Sequence, residues 1–240
     1  MKRILFSLLL LFSITLSAQV VSSTVSYSQS ADVCTFPTIL AGTAVQQETV
    51  NATSHPLTMP SGIGVGNLLL AIIGTDGTEA PTINTGVSGV NWTIEDVDNT
   101  YNTGQIIWKI AEVGDALTLT TTASEKTSAI IYRISCFDTD DPVKSTHTAG
   151  NSANADPPSI TPDYGAVNYL VIAVAITNDA TVCTVAPADF SNLLTTDITT
   201  SSAPTNTADR EYNSGDAYDP AVFIHTSVTW EAFTLLINPQ

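Results

Sequence analysis

Two apolar runs constrain the fold more than any other feature: Leu68-Leu-Leu-Ala-Ile-Ile73 and Leu170-Val-Ile-Ala-Val-Ala-Ile176. Both are short, rich in β-branched residues and bounded by turn formers, as strands are. Neither alternates polar with apolar, so each strand must be covered on both faces. The cover expected is a partner sheet on one side and loops on the other. Elsewhere the pattern is that of half-buried strands. In 129–137, Ile130, Tyr132, Ile134 and Cys136 share one face, while Ile131, Arg133 and Ser135 share the other.

Amphipathic helical periodicity is almost absent. Short β-branched runs separated by Gly, Pro, Asn and Asp clusters predict strands at 39–47, 56–59, 67–75, 92–96, 105–111, 117–122, 128–137, 169–177, 210–213 and 232–237. Such a series describes an all-β fold, an antiparallel, jelly-roll-like β-sandwich in a single domain over residues 37–240. Ahead of it, Met1-Lys-Arg, an apolar core of Ile4–Leu16 and the small residues Ser17-Ala18 read as a secretory signal peptide over 1–18. Its apolar core is shorter than the ~20 residues that a helix needs to span hydrocarbon, and nothing later qualifies. Residues 19–36, rich in Ser, Val and Thr, read as a flexible leader.

The chain carries a formal charge of −16. Losing Lys2 and Arg3 with the signal peptide leaves Lys109, Lys126, Arg133, Lys144 and Arg210 against 23 acidic residues. Nucleic acid is therefore excluded as a partner, because tracking a phosphate backbone takes clustered Lys and Arg. Cys34, Cys136 and Cys183 are too few and too far apart for a disulfide scaffold or a zinc site. One bridge with a free thiol, or three buried thiols, are the alternatives, and Cys136 reads as a small core residue.

The order of features resembles a widespread, mostly uncharacterised β-sandwich module of phage structural proteins and of secreted or surface bacterial proteins. The resemblance is carried by Pro60 and glycines before Asn67-Leu-Leu-Leu, Asp76 after that strand, Trp92-Thr93, Ile106-Ile-Trp-Lys-Ile110 and Ser128-Ala-Ile-Ile-Tyr-Arg-Ile-Ser135. It continues through Asp156-Pro-Pro-Ser-Ile-Thr161, Tyr169–Ala175, Asp209-Arg-Glu-Tyr212 and Trp230–Pro239. It implies structure and attachment and brings no catalytic motif. Where that module commonly has Asp, this chain has Asn67, which would pass a turn-capping role to an amide.

Tests for chemistry narrow the field further. Gly62, Gly64 and Gly66 form G-x-G-x-G ahead of an apolar strand, whereas a dinucleotide site needs G-x-G-x-x-G ahead of a helix N-terminus. Thr85-Gly-Val-Ser-Gly-Val90 has the wrong spacing for a nucleophile elbow. His55, His147 and His225 are isolated, with His147 in a Ser/Thr-rich loop. Paired carboxylates could serve a glycoside hydrolase. In Glu95-Asp96-Val-Asp98 the pair sharing a face is Asp96 with Asp98, and Asp209-Arg-Glu211 offers a second pair. Calcium is the ion that Asx-rich loops suit, with Asp138, Asp140 and Asp141 in one loop and Asp216 and Asp219 in another as its candidate ligands.

Aromatic stacking on a sugar would draw on Tyr101 and Tyr218, placed in loops, rather than on Trp108 and Trp230, which read as core. The expectation is a non-enzymatic, exported structural or adhesive module, secreted or on a cell or virion surface, that needs no cofactor. Its partners are a surface glycan or protein, or further copies of itself in a homo-oligomer or larger assembly. Contacts are expected through loops 76–82, 98–103, 138–150 and 205–218, with Asp76, Tyr101 and Tyr218 as ligand-binding candidates. The alternative is a carbohydrate-binding module or a glycan-active hydrolase.

Overall fold

The computed structural model describes residues 34–85, 92–196 and 203–240. The segment read as signal peptide, and the part of the segment read as leader up to residue 33, lie outside them. Among the described residues there is no helix, and therefore none long and apolar enough to cross a membrane. The strands are β1 (Thr38–Ile39), β2 (Ala44–Gln47), β3 (Ala52–Leu57), β4 (Leu68–Thr75), β5 (Thr82–Thr85), β6 (Thr93–Asp98) and β7 (Thr103–Ile110). They continue with β8 (Leu117–Glu125), β9 (Thr127–Ser135), β10 (Val143–Ala155), β11 (Asn168–Thr177), β12 (Ser191–Thr195), β13 (Thr205–Asn213) and β14 (Phe223–Ile237).

Every pairing is antiparallel. The first sheet runs β1-β9-β4-β7-β6, with β2 also on β9. A second runs β10-β14-β11-β13-β12, and a third, smaller one β3-β8-β5. The two apolar runs are the central strands β4 and β11 of the two large sheets. The main core lies between those sheets: Leu70, Ile72, Ile130 and Tyr132 on one side meet Ile172, Val174, Phe233 and Leu235 on the other. Each such side chain taken fully out of water contributes roughly 1.5–3 kcal/mol, which is why the even and odd positions of β4 are equally constrained.

Its second face differs from the sequence expectation. Leu69, Ala71 and Ile73 are covered by the third sheet, through Leu57, Leu117 and Leu119, and not by loops. Loops cover β11 together with the first part of β14: Ala173 and Ala175 pack with the loop residue Cys183 and with Phe223 and Trp230 of β14, and Val171 packs with the loop residue Ile160. Three strands, β5, β10 and β12, were not expected. The segments read as contact loops at 138–150 and 205–218 contain most of β10 and all of β13. The polar run Lys144-Ser-Thr-His-Thr-Ala-Gly-Asn151 can be a strand because β10 is a sheet edge, paired only with β14 and with no need of apolar residues on both faces.

The glycine stretch is a turn. Gly62 and Gly66 adopt φ of 70° and 88°, and the N–H of Gly64 donates to Oδ1 of Asn67 at 2.8 Å, so the amide does cap the turn. Nearby, Cys34 and Cys136 form a disulfide and tie the start of the described chain to the end of β9. Cys183 is free and buried, and burial pushes its thiol up to about 12.

Candidate functional site

A set of chemical groups drawn from both sheets gathers where the edge strand β6 of the first sheet meets the edge strand β10 of the second. A β-bulge between Ile94 and Asp96 inserts an extra residue opposite β7. Without it, neighbours on a strand would point to opposite faces. With it, Glu95 and Asp96 both reach β10, and so the pair brought together is Glu95 with Asp96 and not Asp96 with Asp98.

Asp96 accepts from Nδ1 of His147 at 2.8 Å and from Oγ of Ser145 at 2.8 Å, one on each oxygen, and also from its neighbour's N–H, Val97, at 2.9 Å. Ser145 and His147 stand opposite Leu235 and Phe233 and thus point toward the first sheet. His147 is a strand residue, not a loop residue, with its ring 5.9 Å from that of Phe233. Glu95 accepts from Nε1 of Trp108 at 3.2 Å. Burial pushes the Glu95 carboxyl up, the Trp108 hydrogen bond opposes it, and Asp141 and Asp96 push it further up. Two adjacent carboxyls therefore sit in unlike settings, one desolvated and one held by a cationisable ring and a hydroxyl. Trp108 is half-buried, packs against the margin of the main core, and lines a shallow cavity of about 360 Å³ with Val65, Thr93 and Glu112.

The other expected residues are spread out. Asp76 accepts from the N–H of Lys126 at 2.8 Å at the far end of the first sheet. Tyr101 is 40% exposed, and its N–H, with that of Asn102, donates to Oε1 of Glu231 at 2.8 and 2.9 Å. Glu231 is fully buried on β14, and burial raises its carboxyl to about 7 against the pull of those two N–H groups. Tyr218 is half-buried, its hydroxyl taken by Arg210 at 2.6 Å and its ring under the Arg210 guanidinium and beside Tyr212. It is part of the outer cover of the second sheet and not an exposed stacking platform.

The calcium candidates act as turn residues. Asp138 Oδ1 accepts from the N–H of Asp140 at 2.9 Å and from that of Asp141 at 3.4 Å. Asp141 takes the hydroxyl of Tyr164, and Asp216 that of Ser214. Asp219 lies close enough to Asp156 to raise its carboxyl, after burial itself. Among the described residues, no three His, Cys, Asp or Glu side chains gather as a metal site.

Sequence reasoning missed Ser145, His147 and Glu231. Glu231 had a signal, a lone acid inside Trp230-Glu-Ala-Phe-Thr-Leu-Leu-Ile. The seam had none, since its strands lie some fifty residues apart and meet only through sheet packing. Fold and site together define an antiparallel β-sandwich whose edge strands carry its polar chemistry. Comparison with protein-family models, curated proteins and solved structures gives no match for the chain.

Proposed function

We propose that this protein is an exported structural or adhesive module of a cell or particle surface, recognising glycan or protein without chemistry of its own. The observation that carries the reading is the state of Asp96: both oxygens are engaged by the protein's own donors, so the acid works as a joint between sheets. The disulfide adds support, because such bonds persist in oxidising compartments outside the cytosol. The jelly-roll reading draws support from the path β2-β3-β4-β5, which steps alternately between the first and third sheets. A second reading, glycoside hydrolysis, is favoured by the raised Glu95 beside Asp96.

The two separate in one preparation of the exported protein. Light scattering and negative stain are expected to show ordered assemblies or a protein retained on surfaces. Incubation with glycans is expected to release no reducing ends. Release that disappears in Glu95→Gln would overturn the non-enzymatic reading.

A further inference from the structure

The opposite edge of the sandwich repeats the seam and leaves it open. β12 carries a bulge between Ser191 and Leu194, placed against β13 as the β6 bulge is placed against β7. Asp209, paired with Ser191 and opposite Ile172, holds the place that Trp108 holds, paired with Thr93 and opposite Leu70. At the first seam the facing strand supplies an imidazole and a hydroxyl to Asp96. At the second, the facing segment is β1 and the turn into β2, which brings Leu40, Ala41 and Thr43. Among the described residues, no side chain of that facing segment hydrogen-bonds to Asp209. A cavity of about 390 Å³ remains, lined by Ile39, Leu40, Thr43, Tyr132, Leu194 and the Asn192–Asp209 pair.

Asn192 Nδ2 donates to Asp209 Oδ2 at 3.1 Å, which orients both groups. The second carboxylate oxygen and the amide oxygen then serve as acceptors, and the second amide hydrogen and the Thr43 hydroxyl as donors. Tyr132, at the base, is buried and spends its hydroxyl on Thr207 at 2.6 Å, and so floors the cavity without offering a polar group. We propose that this cavity binds one ring of a saccharide, with Asp209 and Asn192 taking a pair of adjacent hydroxyls and Ile39, Leu40 and Leu194 packing the ring's C–H face.

A hydroxyl both donates and accepts, as this mixed set requires, whereas an ammonium could use the acceptors alone. The volume falls in the range of small-molecule sites, about 300–1,000 Å³. Burial pushes the Asp209 carboxyl up, against the Asn192 hydrogen bond, a desolvation that hydroxyl partners would offset. The inference deepens the adhesive reading by naming its ligand class and site, and it rests on that reading.

The test is saturation-transfer NMR on the exported protein with the methyl glycosides of glucose, galactose, mannose and N-acetylglucosamine, and with butylammonium as the amine arm. Transfer to the ring protons of at least one glycoside is expected. Binding should weaken at least fivefold in Asp209→Asn and in Leu194→Trp, which fills the cavity, and should persist in Asp96→Asn at the other seam. Thr43→Val, a change of similar volume, should weaken it if the larger change at Leu194 unfolds the protein. No transfer from any glycoside, equal transfer in Asp209→Asn, or preference for butylammonium overturns the proposal. Glycan hydrolysis lost in Glu95→Gln would sink the adhesive reading and leave the cavity standing, whereas assemblies that bind no glycoside would do the reverse.

Discussion

The two large sheets, set side by side, follow one plan with different clothing. Numbered within its own half of the chain, each runs first-fifth-second-fourth-third: β1/β2-β9-β4-β7-β6 and β10-β14-β11-β13-β12. Both carry a bulge in the third strand. The first half adds a strand in three of its connections, and β3, β5 and β8 become the third sheet. The second half runs loops through the same places. A single antiparallel bridge between Ile160 and Tyr218 links the two loops that correspond to β3 and β8, where the first half has a full pairing. At two register-matched positions the outward residues differ to match, Ile73 and Ile107 under the third sheet but Ala175 and Ala208 in the second half, whereas Ala71 and Ala129 are matched by Ala173 and Ala232. A sheet packed on a sheet leaves about 10 Å to fill, which takes large aliphatics such as Ile73 and Ile107, whereas the closer cover over Ala175 and Ala208 is filled by methyl groups.

The comparison breaks most severely where both halves share side chains. Phe233 is fully buried between the sheets, against Gly104, where a Cβ would lie only 2.6 Å from its ring. Phe233→Ala is expected to cost ~3–5 kcal/mol in urea unfolding, with both halves losing structure in one transition. Two separate transitions would show that the halves are independent, against the shared core. Next in size is the disulfide, which closes a loop of 102 residues in the first half and has no counterpart in the second. Reduction, or Cys136→Ser, should lower stability by ~2–5 kcal/mol, and an unchanged urea midpoint would contradict it.

The third prediction concerns pH. Glu231 stands where the first half has Ser128, and its carboxyl is raised in the folded protein to about 7 from an ordinary 4.5. The folded state therefore binds the extra proton more tightly, so this contribution is fully present below pH 4.5 and lost as pH rises through 7. Asp98 is the acid facing it and pushes in the same direction. Glu231→Gln keeps an acceptor for Tyr101 and Asn102 but cannot titrate. Relative to this variant, wild type should be more stable at pH 5 than at pH 8 by roughly 2–4 kcal/mol, at 1.36 kcal/mol per unit. Parallel stability curves for the two proteins would rule the mechanism out.

How much of this could be read beforehand follows from where the signal lies. β4 and β11 declare themselves, because burial on two faces removes every polar residue. The sandwich class follows from them and from the half-buried pattern at Ile130, Tyr132 and Ile134. By contrast, β10 and β12 are edge strands, and one solvated face together with a free backbone edge lets Ser, Thr and Asn occupy them. The third sheet was partly visible in 117–122, but its place over β4 was not, since an apolar face does not say whether a sheet or a loop will cover it. The bulge at Glu95 was illegible for a similar reason: a single inserted residue changes which acids are neighbours while leaving composition untouched.

A fourth substitution makes the halves more alike. Ala175→Leu places in the second half the kind of side chain that Leu69 and Ile73 present in the first. Under the cover of Cys183 and Phe223 it should overpack and cost ~1–3 kcal/mol, read as a lower melting temperature with the fold kept. Stabilisation instead would mean that this cover yields as readily as a third sheet fills, and that the alanines are not required by it.

The smallest effect belongs to the seams, and its size discriminates between a joint and a reaction centre. His147 is 42% exposed and Asp96 14%, so solvent screens the pair, and a bond of this kind at a surface contributes about 0–1 kcal/mol. His147→Ala is therefore expected to lower stability by less than ~1 kcal/mol, with most of the loss recovered by His147→Gln, whose amide can still donate to Asp96. Surface retention or assembly should not change, because the seam holds edges that the main core has already positioned. A His147→Ala protein with unaltered stability but lost retention would move the seam from scaffold to contact surface, and would make the closed edge, rather than the open one beside Asp209, the place where partners meet.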